Sequence, residues 1–115
     1  MSPEKQRVAI AEACGWKKET RLPKYERVWI NPDGFEVFWL RFADDDTFAA
    51  LPDYLNDLNA MHEAEKACLK NDALLWHRYA ANLDSDYVNQ PYTVGATAAQ
   101  RAEALLRTIN KWENE

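Results

Sequence analysis

The chain has 115 residues, enough for one domain with its own core and too few for two. Its composition is 47% hydrophobic and 12% aromatic, which excludes a disordered chain. No apolar run reaches the roughly 18 residues of a membrane-spanning helix, and the polar start MSPEKQRVAI carries no apolar leader core, so a cytoplasmic protein is expected.

Ser2-Pro3-Glu4 opens the first helix: a capping hydroxyl, a proline suited to the first turn and a carboxylate at the positive end of the dipole. Gly15 stops it, which gives a helix over 3–14 with Trp16 folding back on its last turn. Residues 17–24 are polar and read as loop. Tyr25 to Ile30 and Phe35 to Phe42 are β-branched and aromatic, and Asn31-Pro32-Asp33-Gly34 between them is a turn signal, so an antiparallel hairpin is expected. Both faces of its second strand are apolar, which predicts a strand covered on both sides.

Leu51-Pro52-Asp53 opens a second helix, with Leu55, Leu58, Met61, Cys68 and Leu69 as its apolar positions and His62 beside them. Leu74 to Leu83 forms a third, with Leu75, Tyr79 and Leu83 four residues apart. Pro91 to Val94 suggests a short strand. Thr97-Ala98-Ala99-Gln100 is a capping box, and the helix it starts, over 97–112, carries Ala102, Leu105, Leu106, Ile109 and Trp112 on one face. Arg101, Arg107 and Lys111 lie elsewhere around it. The order α-ββ-α-α-β-α predicts an α+β fold, a small mostly antiparallel sheet layered with helices, in a single domain over 1–115.

Two cysteines, Cys14 and Cys68, read as reduced thiols in helices; with only two histidines and no C-x-x-C pair, no metal site is expected. The stretch from His62 is no zincin, because Lys66 stands where the second histidine is needed. Asp44, Asp45 and Asp46 lack the spacing of a calcium loop. Three glycines cannot build a phosphate loop, and neither serine, Ser2 or Ser85, sits in a nucleophile elbow. No catalytic residue and no cofactor is expected.

Charge is uneven. Residues 1–43 hold eight basic and six acidic groups, a balance of +2; residues 44–115 hold six and thirteen, a balance of −7. The net −5 argues against non-specific nucleic-acid binding, while the cluster Lys17, Lys18, Arg21, Lys24, Arg27 and Arg41 leaves room for a local anion site.

The opening Ile10 to Trp16, the stretch Pro52 to Lys66 and the stretch Ala96 to Thr108 with Trp112 resemble the phage ABA-sandwich domain family, small proteins of bacteriophages and prophages. The resemblance runs in order along nearly the whole chain. It implies a sheet layered between helices and a phage origin, and it brings no site residues with it, since the family has no established catalytic motif.

Five tryptophans and five tyrosines exceed the needs of a small core and suit a recognition surface. The expectation is a non-enzymatic phage accessory protein in the host cytoplasm that sequesters a small nucleotide-like host signal. The alternatives are an acidic protein-binding inhibitor of a host defence or regulatory enzyme, or a virion assembly role. A homo-oligomer is expected. Trp39, Arg41, Tyr54, Asn59 and His62 are the candidate ligand-binding residues: the end of the hairpin should lie near a helix N-terminus starting at about 53, where free N–H groups, a guanidinium and stacking rings would meet an anion.

Overall fold

The computed structural model describes residues 1–21, 26–37, 51–85 and 96–114. The fold is α+β. Its described elements, in chain order, are α1 (Pro3–Ala13), β1 (Lys17–Arg21), β2 (Glu26–Ile30), β3 (Glu36–Val37), α2 (Leu58–Leu69), α3 (Ala73–Ser85) and α4 (Ala98–Thr108). The strand expected at 91–94 lies outside the described residues, as does most of the strand expected at 35–42.

The strands form an antiparallel sheet in the order β1-β2-β3. β1 corrects the loop expected at 17–24. It pairs in register with β2, Lys17 opposite Ile30 and Arg21 opposite Glu26. It lacks an apolar pattern because it is an edge strand, with Lys17, Lys18 and Glu19 in solvent. In β2, Val28 and Trp29 point to opposite faces and are 2% and 1% exposed, so this strand is covered on both sides. The turn between β2 and β3 forms as its residues predict. Gly34 takes a positive φ of 91°, and the Asn31 side-chain oxygen accepts from the Asp33 and Phe35 N–H groups at 3.0 and 2.8 Å.

The helices begin where their caps dictate. Ser2 accepts from the Lys5 N–H at 3.2 Å, and Thr97 with Gln100 completes the reciprocal capping box of α4. α2 starts later than expected. Residues 53–57 form a turn, and the Asp57 carboxylate caps a helix beginning at Leu58 by accepting from Asn59 and Ala60 at 2.9 and 3.3 Å. α4 ends at Thr108, short of the expected 112, where Asn110 adopts a φ of 62°.

α4 is the centre of the helical layer. It packs along α3 and also meets α1 and α2. Leu105 and Leu106 are fully buried, and Ile109 sits at the edge. Its apolar face meets α1, α2 and α3, and Trp29 of the sheet lies in the same core. Met61 and Leu69 of α2 and Tyr79 and Leu83 of α3 complete it. Arg101, expected away from the apolar face, is buried.

Candidate functional site

Two environments on either side of α2 contain chemistry. The first is a pocket of about 310 Å³. Its floor is α2, where Ala60, Glu63, Ala64 and Ala67 follow one another at helical spacing. The three alanines leave space that larger side chains would fill. Cys14 and Trp16 from the end of α1 form one wall, Pro32 of the hairpin turn another, and Pro52 and Tyr54 a third.

Local sequence sets these walls. Gly15, at φ 105°, reverses the chain after α1, so the Trp16 N–H donates back to the Ala11 carbonyl at 3.0 Å. A β-carbon at Gly15 would stand 3.5 Å from the Pro32 ring, so helix end and hairpin turn are in close contact. Arg7 of α1 donates from Nε to the Pro52 carbonyl at 2.8 Å and from Nη2 to the Leu51 carbonyl. That guanidinium holds the 51–54 segment against α1 and so fixes Tyr54.

At the wall formed by Cys14 and Trp16, Cys14 Sγ and Cys68 Sγ are 3.8 Å apart, and both thiols are free and half-buried. The hydrogen bond between them pushes the Cys14 thiol up, and burial acts the same way. The same contact lowers Cys68 against its own burial, with help from the Lys70 charge. The Tyr54 phenol lies beside Cys14 and is pushed above its ordinary range, first by burial and then by that thiol.

The second environment is a buried polar seam between α2 and α4. Arg101 Nη1 donates to Glu65 Oε1 at 3.3 Å, and Arg101 Nε donates to the Ala96 carbonyl at 3.2 Å. Glu65 and Arg101 are only 5% and 8% exposed. His62 Nδ1, at the surface, lies 3.2 Å from the same Glu65 oxygen. Tyr79 is fully buried alongside, next to Glu65 and Arg101, and no hydrogen bond of ordinary geometry reaches its hydroxyl among the described residues. Burial and then the Glu65 carboxylate push that phenol up.

Of the residues expected to bind a ligand, Tyr54 lines the pocket. Asn59 is exposed in the first turn of α2, and His62 faces solvent on the side of Glu65. Trp39 and Arg41 lie outside the described residues. The helix N-terminus expected near 53 is at 58, and the Asp57 carboxylate already occupies its first N–H groups. Cys14, Trp16, Ala60 and Ala64 were not among the expected site residues. The signal available for them was the Ala60-Ala64-Ala67 spacing, which marks a helix face of small residues without saying what lies across from it. Among the described residues, no group of three or more His, Cys, Asp or Glu side chains is placed to hold a metal ion. No described helix is long and apolar enough to cross a membrane. The chain matches no family model, no curated protein and no solved structure.

Proposed function

We propose that this protein is a non-enzymatic binding protein whose pocket between α1, the hairpin turn and α2 receives the ring of a small nucleotide-like molecule. One observation carries this reading: a cavity of about 310 Å³ walled by an indole, a phenol, two prolines and a thiol, over a floor of three alanines and Glu63. That volume is at the lower end of small-ligand pockets, and flat apolar walls suit a planar ring. The resemblance to phage ABA-sandwich proteins supports a phage accessory role, the sequestration of a host signal in the host cytoplasm.

Calorimetry against cyclic and linear nucleotides tests this. Binding below millimolar is expected, weakened at least about tenfold in Ala60→Leu, which fills the floor of the pocket. Absence of binding across the panel, or binding that Ala60→Leu leaves unchanged, removes the reading.

A second reading, a protein-binding inhibitor, is favoured by Leu74 and Trp76, which α3 leaves 58% and 37% exposed. The acidic balance of residues 44–115 suits a basic partner surface, and self-association through the same side chains supports a homo-oligomer. Sedimentation at micromolar concentration separates these: a species heavier than 13.3 kDa that Trp76→Ala returns to monomer favours self-association, and a monomer throughout leaves the apolar side chains to a foreign partner.

A further inference from the structure

We propose that Cys14 and Cys68 form a redox-active dithiol, oxidised to an intramolecular disulfide by small, unbranched disulfide molecules that enter through the pocket. Two observations meet here. The sulfurs are already in contact at 3.8 Å, although 54 residues separate them in sequence. The pocket opens onto Cys14, which forms part of its wall. Closing the pair to the ~2.05 Å of a disulfide requires a shift of under about 2 Å, shared between two side chains. Cys14 stands at the end of α1, where the chain already turns at Gly15, and Cys68 lies in the last turn of α2, so neither is locked mid-helix.

The exchange balances with the small disulfide as the oxidant. One sulfur of the pair, as its thiolate, bonds to one sulfur of the incoming molecule as that molecule's S–S bond breaks, and the departing thiolate takes up the proton released. The other protein sulfur then displaces the remaining half, and the second departing thiolate takes its proton. Two protein thiols are oxidised to one disulfide, and the small disulfide is reduced to two thiols. Cystamine, a small unbranched disulfide, is the probe.

The product ties α1 to α2 behind the pocket. The test is to treat the reduced protein with cystamine, quench with an alkylating agent, and read intact mass and peptide maps. The expected product has lost two hydrogens, takes no alkyl group, and joins the peptide of Cys14 to that of Cys68 within one chain. Its Tm is expected to rise by roughly 10 °C and to return on reduction. Cys68→Ser should stop at a persistent cystamine adduct on Cys14. Wild-type protein that stops at adducts, or that links only between chains, overturns the proposal. So does a fall in Tm on oxidation, because the link would then form only by distorting the fold. The wild-type readout decides even if the serine variant folds poorly.

Discussion

Helix α2 separates two environments that each hold a buried tyrosine, and they use burial in opposite ways. On one side Tyr79 lies in a filled seam, where Glu65 and Arg101 neutralise each other and little solvent enters. On the other, Tyr54 borders empty space left by alanines. The seam contains the charged groups, yet each is already engaged: Glu65 by Arg101 and His62, Arg101 by Glu65 and the Ala96 carbonyl. The pocket has weaker chemistry but available volume. A satisfied charge network holds elements together, whereas unfilled apolar volume can receive a ligand. A filled polar seam and open apolar volume therefore lie on opposite sides of one helix.

The largest effects are expected in the seam. Arg101→Met leaves Glu65 buried without its cation and should cost about 3–5 kcal/mol in urea unfolding. Adding Glu65→Leu to that variant should recover most of the loss, since the expense is the orphaned charge rather than the missing attraction. If the single variant loses under about 1 kcal/mol, the seam is open to water and the contrast with the pocket fails. Leu105→Ala, in the shared core, should cost about 2–5 kcal/mol and serves as the apolar reference for both sides.

A smaller effect separates the two tyrosines from the rest of the surface in alkali. Both phenols are raised in the folded protein above the ~10 of the unfolded chain. The unfolded chain therefore releases these protons first, and the stability they contribute is complete below about pH 10 and is lost as pH rises above it. Absorbance titration at the phenolate band should show two tyrosines that ionise only together with unfolding. Ionisation of all tyrosines with the secondary structure intact would mean that neither environment is closed.

The parts of this fold that were legible in the sequence are those fixed by neighbours a few residues apart. Ser2, Gly15, the Asn31–Gly34 turn and the Thr97–Gln100 box each act within one turn of chain, and each appears where it was read. β1 escaped because an exposed edge strand has no apolar period to display. The start of α2 was misplaced because Pro52-Asp53 resembles a helix start, while the effective cap, Asp57, lies four residues on. Arg101 looked like a surface residue because its partner Glu65 is 36 positions away. The same holds for Cys14 and Cys68: composition makes them two inert thiols, and only the crossing of α1 and α2 makes them a pair. Of the expected ligand residues that the structure describes, Tyr54 reached the pocket wall, held there by Arg7 rather than by the helix terminus expected beside it.

The finest comparison removes one oxygen from each side of α2. Tyr79→Phe deletes a fully buried hydroxyl that has no hydrogen-bond partner of ordinary geometry among the described residues. An unpartnered buried hydroxyl costs roughly 1–3 kcal/mol of desolvation, so its removal, with the ring still filling the same volume, should leave stability unchanged or raise it by up to about 1 kcal/mol. Tyr54→Phe deletes a hydroxyl that lies beside the Cys14 thiol, and its loss should cost about 0.5–1.5 kcal/mol. The signs, more than the sizes, carry the argument. Urea unfolding of both variants in reducing buffer reads them directly. Should Tyr79→Phe lose more than about 1 kcal/mol, its hydroxyl is bonded to the Glu65–Arg101 pair in solution, and the seam is a three-member network rather than a pair with a bystander. Should Tyr54→Phe prove neutral, the pocket wall is held by packing and by the Arg7 bonds alone, and the phenol oxygen is free to meet a ligand.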